Sequence, residues 1–508
     1  MVPAPRWGVG KREEARRSAV DPGEGECYSF PMRFMKILLA VAAIIGVAYL
    51  GVQASRAQPA QALRQVDLVV SGGTVVTVDA THRVIAGGAV AIAGADIVAV
   101  DTADAIGRQY RGRQTIDATG QVVMPGLINT HTHAPMVLFR GLADDLALMD
   151  WLNDYIFPAE AKMVSPEFVR AGTRLAALEM IQSGTTTYAD MYYFEEEIAR
   201  ETRTAGLRGV LGQTVIQFPV ADAKTPADGL ARAETFIKAF KGDPLITPAV
   251  APHALYTLDG PTLKAARDLS RRLGVPTLIH LAETRDEVKT AQERRFPSPV
   301  AYLDSLGFLG PGVLAAHGVY VAESEMPLLK ARGVGISHNP ESNMKLASGT
   351  APVTAYLRAG VALGLGTDGA ASNNDLDMFE AMRMASLLHK LQTNDPRAVS
   401  ARTAIDMATI GGARAMGMDK QIGSLEPGKH ADLIVVSMNS ARQTPMYEPA
   451  SHLVYVTRGD DVQTTIVNGK VLMENRRMLT LDEAAILREA RSWGEKVKAA
   501  VTPQKKGE

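Results

Sequence analysis

The chain carries a single cysteine, Cys27, in 508 residues. That count excludes an intrachain disulfide, a paired-thiol redox centre and any cysteine-rich zinc module, so a metal must be held by nitrogen and oxygen. An excess of charge of one sign is lacking too, since Lys+Arg number 54 and Asp+Glu 55, a formal net charge of -1. No basic field is on offer to a phosphate backbone, and aromatic residues at 6% provide no row of stacking platforms, so nucleic acid is not an expected partner. Hydrophobic residues at 46% and charged residues at 21% are near globular averages, which speaks against wholesale disorder, collagen-like repeats and a multi-span membrane protein. Internal repeats and low-complexity tracts are lacking as well.

One long apolar run is present, near the amino terminus. Arg33 and Lys36 precede Ile37 to Val52, and Ser55-Arg56-Ala57 supplies small residues spaced for signal-peptidase cleavage before Gln58. The expectation is export, to the periplasm or beyond; the alternative is an uncleaved membrane anchor over residues 37–55. Met32 is a more ordinary start for such a signal, which makes residues 1–31 a dispensable leader.

After this leader (1–57), residues 58–121 alternate β-rich runs with turn residues: VDLVV, then Ser71-Gly72-Gly73, TVVTV, AVAIAG, IVAV and TIDATGQVV. Small antiparallel strands are expected. The texture returns over 418–508 in ADLIVV, Leu453 to Thr457 and VQTTIVNGKVL, with Asn468-Gly469 as a hairpin turn. The two segments are expected to pair into one small composite β-sandwich domain. Between them, over 122–417, eight apolar runs alternate with amphipathic helical stretches, ending near Asn129, Asp190, Val215, His253, His280, His317, His338 and Asp368. That pattern predicts an α/β fold, a (β/α)8 TIM-type barrel, whose active site lies where the strands end. A doubly wound sheet is the fallback, and it would not need eight units.

Ligand-type side chains occupy those ends. His131 and His133 are two apart, so both imidazoles point to one side of the first strand; His280 ends the fifth strand and Asp368 the eighth. Three nitrogens and one carboxylate leave a coordination position for water. Zinc suits this set, and iron or nickel is accepted by it. A divalent ion there lowers the pKa of water from 15.7 to about 7. Glu283, three residues past His280, is the candidate proton shuttle, and His317 with Asp368 the candidate proton acceptor. Taken singly, Glu283 also reads as a helix-start carboxylate, His317 as a satisfied core histidine and Asp368 as a helix cap.

Five motifs make the set specific: Pro125-Gly126-Leu127-Ile128-Asn129-Thr130-His131-Thr132-His133, Arg140-Gly141-Leu142-Ala143-Asp144-Asp145-Leu146, His280-Leu281-Ala282-Glu283-Thr284, Ser337-His338-Asn339-Pro340-Glu341-Ser342-Asn343-Met344-Lys345-Leu346 and Gly366-Thr367-Asp368-Gly369. Through them the chain resembles the amidohydrolase superfamily, in the branch of methylthioadenosine/S-adenosylhomocysteine deaminases that stands close to triazine hydrolases. The resemblance implies one metal on His131, His133, His280 and Asp368, with Glu283, His317 and Asp368 catalytic. It also implies substrate contacts from Glu160, through sugar hydroxyls, and from His253. Strand four ends at His253 with no lysine to be carboxylated, against a two-metal site. Two substrate-holding arginines of that branch are replaced near Gln213 and Leu230. An anionic tail wants a guanidinium fork, so neutral ligands are expected.

The reading is a metal-dependent deaminase of an amino-substituted nitrogen heterocycle, an adenosine-like nucleoside or purine, acting on a small-molecule substrate. The alternatives are a chlorohydrolase or amide/urea hydrolase on a triazine-like compound, and, from another class, an exported non-catalytic binding protein. A homo-oligomer is left open.

Overall fold

The computed structural model describes residues 32–53 and 62–501. The expected cleavage site, Cys27 and residues 1–31 lie outside the described residues. The chain divides into two compact units, Met1–Ala62 and Leu63–Glu508. In the first, the described part is one helix, Met32–Gln53, whose Ile37, Leu39, Ile44 and Val47 side chains are exposed. Among the described residues, no helix is long and apolar enough to cross a membrane.

The second unit opens with β1 (Arg64–Val76), β2 (Val84–Ala93), β3 (Asp96–Thr102), β4 (Tyr110–Asp117) and β5 (Gln121–Pro125). The two runs expected as separate strands around Ser71-Gly72-Gly73 are one strand, β1, which carries register shifts between Ser71 and Val75. Gly72 takes φ +89°, so the chain kinks there without turning back. The antiparallel expectation fails for two pairs: β4 and β5 both run parallel to β1, one along each half of it.

Eight parallel strands follow: β6 (Leu127–Thr132), β7 (Thr185–Tyr192), β8 (Arg208–Val215), β9 (Ile246–Pro252), β10 (Thr277–Leu281), β11 (Val313–His317), β12 (Gly335–His338) and β13 (Ala362–Leu365). All eight expected strands are present, with ends within three residues of the expected ones. Helices separate them, as the (β/α)8 pattern requires. Hydrogen bonds between the first and last strands' ends complete the barrel: Asp368 N–H donates to the His131 carbonyl at 2.9 Å, Thr130 Oγ1 to the Leu365 carbonyl at 2.8 Å, and Thr367 N–H to Asn129 Oδ1 at 3.1 Å. Gly366 allows this approach, since a Cβ there would lie 2.4 Å from Asn339 Oδ1 and 2.9 Å from the His131 nitrogen.

After the barrel come β14 (Leu433–Ser437), β15 (Val462–Val467), β16 (Lys470–Glu474) and β17 (Arg477–Met478). β14 pairs antiparallel with β5, Leu433 opposite Pro125, so the distant segments do form one sheet, of nine strands. Its own core gathers Leu68, Val70, Ile92, Leu433 and Ile466. The β15–β16 hairpin turns at Asn468 (φ 53°) and Gly469 (φ 74°), the left-handed pair the sequence anticipates. Leu453 to Thr457, expected as a strand, falls instead in and just after the helix Pro449–Tyr455. Pro449 fits the first helical turn and the Glu448 side chain accepts from the Ala450 N–H, while Leu453 and Val454 bury one face.

Sheet and barrel are joined by a buried ion pair. Arg208, at the start of β8, holds Asp432 with Nε–Oδ2 at 2.8 Å and Nη2–Oδ1 at 3.2 Å. It also donates to the Pro244 carbonyl and Asn468 Oδ1, so every removal of the guanidinium strands an anion. Arg208→Ala is expected to lose about 3–5 kcal/mol of stability, as for other broken buried pairs; urea unfolding would measure it.

Candidate metal and catalytic site

The carboxyl ends of the barrel strands converge on a cavity lined by His133, Glu160, His253, His280, Glu283, His317 and Asp368. His131 lies at the end of β6 and His133 just beyond it. The closing seam sets Asp368 against both: its Oδ1 lies 3.3 Å from His131 Nε2 and 3.3 Å from His133 Nε2. His280 Nε2 is 3.3 Å from His133 Nε2. The His131 and His280 rings are 5.0 Å apart between centroids, and those of His131 and His317 5.4 Å.

The tautomers follow from the partners. His133 Nδ1 lies 2.6 Å from the Met191 carbonyl and His280 Nδ1 2.7 Å from the His253 carbonyl. A carbonyl only accepts, so each Nδ1 carries the proton and each Nε2 presents a lone pair to the centre. His317 Nδ1 is held likewise by Asn343 Oδ1 at 2.9 Å. His131 Nε2 is buried without a hydrogen-bond partner. Burial lowers the His131 imidazole to about 4 and takes His280 well below its ordinary value. Neutral rings with converging lone pairs beside an anionic carboxylate are a donor set for a cation. Ligand atoms within 4.8 Å of one another occur in two overlapping sets, His131 with His133 and Asp368, and His131 with His280 and His317. The residues therefore fit a divalent ion.

Asp368 is tied down by three donors: Ser342 Oγ at 2.7 Å and Ser372 Oγ at 2.9 Å on Oδ2, and the Gly369 N–H at 2.8 Å on Oδ1. Burial acts to raise its pKa, but the imidazoles of His131, His133 and His317 around it prevail and hold the carboxyl well below the usual range. Glu283 is buried, with Oε2 3.8 Å from His317 Nε2, and burial raises its carboxyl. Burial pulls the His317 imidazole down, yet the Glu283 and Asp368 carboxylates outweigh it and leave the ring above its ordinary value. His317 (φ 73°) and Asp368 (φ 63°) both take left-handed backbone, as does Ala282 (φ 51°). Such strain, about 1–3 kcal/mol each, is the cost of aiming side chains from strand ends into one point.

Glu160 and His253 line the same cavity. The Tyr192 hydroxyl donates to Glu160 Oε1 at 2.7 Å, and burial pushes that carboxyl up to about 7. The His253 ring lies 4.7 Å from that of His280, and burial lowers it to about 3, so it is neutral. Gln213 and Leu230 do not line the cavity: Gln213 is buried and donates to Asp222 at 2.9 Å, and Leu230 packs against the core.

Several supporting residues have no signature in the sequence. Ser342 and Asn343 fall inside a quoted motif, but nothing in its spacing assigns them to Asp368 and His317. Asp190 Oδ1 accepts from Thr132 Oγ1 at 2.7 Å and from the Ala134 N–H at 2.5 Å, bracing His133 from both sides. Glu287, fully buried, accepts the Glu283 N–H at 3.0 Å. Its only hint is its place four residues after Glu283, on the first turn of the helix Arg285–Glu293.

Comparison with known proteins gives the family. The Amidohydrolase family matches residues 122–472. The chain belongs to that family. This amidohydrolase is 48% identical over 425 residues to a 5-methylthioadenosine/S-adenosylhomocysteine deaminase of Syntrophobacter fumaroxidans, covering 84% of this chain and 97% of the relative. It is 43% identical over 437 residues to a 5'-deoxyadenosine deaminase of Methanosarcina mazei, covering 86% and 99%. Among solved structures, a zinc-bound adenosine deaminase from Xanthomonas campestris superposes with a TM-score of 0.85 at 39% identity, over 86% of this chain and 100% of that one. The amidohydrolase is thus a hydrolytic enzyme with a divalent-metal site.

Glu287 fixes the backbone beside Glu283 without reaching the cavity, so it acts as a positioning residue. Glu287→Ala is expected to lower kcat about 10-fold or more with KM little changed, because a misplaced proton donor weakens the transition state and spares binding. Glu287→Gln, which keeps an acceptor oxygen, is expected to restore most of the loss in steady-state assays.

Proposed function

We propose that this amidohydrolase removes the exocyclic amino group of an adenosine-like nucleoside as ammonia, with water as the co-substrate. The observation that carries the reading is the meeting of three unprotonated ring nitrogens and the Asp368 carboxylate next to two proton carriers, Glu283 and His317, on one cavity wall. His131, His133, His280 and Asp368 would hold one divalent ion, zinc being the best match to three nitrogens and one oxygen. When bound, that ion supplies the acidity that makes water a nucleophile at neutral pH.

The chain's own groups do the rest. Glu283, kept protonated more readily by burial, donates to the ring nitrogen beside the amino-bearing carbon. Asp368, with His317 hydrogen-bonding the same water, takes the proton as oxygen adds to that carbon. Asp368 then passes that proton to the amino group, the carbon–nitrogen bond breaks and ammonia leaves, while the hydroxyl proton returns to Glu283 as the oxo group forms. The atoms balance: amine and water become oxo product and ammonia. His253, neutral, offers a hydrogen bond to the ring, and Glu160 accepts from the sugar hydroxyls.

Two measurements test this. Ammonia release from adenosine-type nucleosides should require metal, vanish on chelation and return with zinc. Glu283→Gln should lower kcat about 10²–10⁴-fold; retention of full activity would remove Glu283 from the mechanism. A pH series tests Glu160. Its folded-state pKa near 7 means that the accepting carboxylate form is lost as pH falls through 7. KM for ribosides should therefore rise below pH 7, while KM for 2',3'-dideoxy analogues stays flat.

We propose export for the same chain, supported by Arg33, Lys36 and the apolar run after them. Amino-terminal sequencing of exported material should begin at Gln58, and a mature chain that retains Cys27 would overturn this.

A further inference from the structure

The cavity is electrically lopsided. Three carboxyl groups line it, those of Glu160, Glu283 and Asp368, while no lysine or arginine does so among the described residues. The nearby cations are engaged elsewhere. Lys345, next to the lining Leu346, pairs with Asp144 at 2.5 Å and donates to Asn374. Arg232 pairs with Glu196 at 2.6 Å and with Asp222 at 3.2 Å. Lys162, on the Glu160 helix, donates to the Ala500 carbonyl at 3.1 Å.

The wall around Glu160 is apolar. Leu148, Leu152, Ile156 and Phe157 line it from the segment that runs straight into the Glu160 helix, Phe157–Met163. Phe157 precedes Glu160 by three residues and so shares its helix face. Its ring meets that of Phe218 edge-on at 5.3 Å, which extends the apolar surface outward. With the base at the histidines and the sugar at Glu160, as the reading above has it, the 5' substituent is assigned to this wall. An alkyl or alkylthio group there is removed from water against apolar surface, which is favourable. A carboxylate or phosphate there loses hydration, meets no cation and faces Glu160.

We propose that the site selects adenosine-like nucleosides whose 5' substituent is uncharged and apolar, and rejects those that end in an anion or an amino-acid zwitterion. This rests on the deaminase reading above and narrows it. Leu152, Ile156 and Phe157 are then specificity-determining residues, with no part in the proton transfers.

The test compares four compounds on the metal-loaded full chain: 5'-methylthioadenosine, 5'-deoxyadenosine, 5'-butylthioadenosine and S-adenosylhomocysteine. The last two have 5' chains of similar length and differ in the charged groups at the end, which separates size from charge. The expected result is kcat/KM for the butylthio compound within about 10-fold of the methylthio one, and for S-adenosylhomocysteine at least 50-fold below the butylthio compound. Equal turnover of those two would overturn the proposal. So would poor turnover of both beside good methylthioadenosine turnover, because length rather than charge would then set the limit. Ammonia from none of the four would overturn the deaminase reading itself, and this proposal with it.

Discussion

The site depends on how the barrel closes. β6 and β13 are not joined by a regular ladder. They meet through the Asp368 N–H on the His131 carbonyl, the Thr367 N–H on Asn129 and the Thr130 hydroxyl on Leu365. This seam brings the first strand's histidines and the eighth strand's aspartate, 237 positions apart from His131 to Asp368, into one cluster. Its tightness comes from Gly366, where any side chain would collide with Asn339, Ser337 and the His131 nitrogen. Closure of the fold and assembly of the donor set are therefore one event: a chain that fails to close has no site.

Around that cluster, low polarity and fixed partners divide the labour. Burial strips protons from His131 and His280, and carbonyls on Nδ1 of His133 and His280 choose which nitrogen faces the centre. Four carboxyl groups in the same environment are driven apart. Asp368 is held low by the imidazoles around it and accepts from two serine hydroxyls, whereas burial prevails at Glu160, Glu283 and Glu287 and raises them. One cavity thus holds a carboxyl group pushed down and others pushed up, the kind of separation that lets two carboxyls serve opposite roles in proton transfer.

The sequence carries the barrel clearly because each strand is a short apolar run ending in a polar residue, and period and punctuation agree. His131, His133, His280, His317 and Asp368 were legible since each ends a strand or follows one, and barrel topology fixes where strand ends go. What escaped was set by contacts between elements. Ser342 and Asn343, on the short helix Pro340–Lys345, and Ser372, in the turn after Asp368, hold Asp368 and His317, and no local pattern encodes those pairings. The satellite sheet misled for a similar reason: β1 is long enough to pair with β4 before Gly72 and with β5 after it, and the parallel direction of both pairs is set by contacts between strands that composition does not encode. Leu453 and Val454 have strand-like side chains, but Glu448 and Pro449 start a helix, and capping outweighed propensity.

The walls of the cavity have a different origin from its floor. The donor atoms stand on strand ends and cannot shift without disturbing the barrel, but Leu148 to Glu160 lie in the excursion between β6 and β7, outside the sheet. That excursion is braced from behind by the carboxyl-terminal helix Glu483–Val501. Lys162 bonds to Ala500, Arg174 pairs with Glu489, and Trp493 sits edge-on to Phe168 at 5.5 Å. Substitutions on the wall therefore act on what is admitted and leave the ligand set in place. On the reading proposed above, the chemistry belongs to the barrel and the choice of substrate to a segment that the rest of the fold holds in place, so two chains with one donor set are free to differ in the compound they admit.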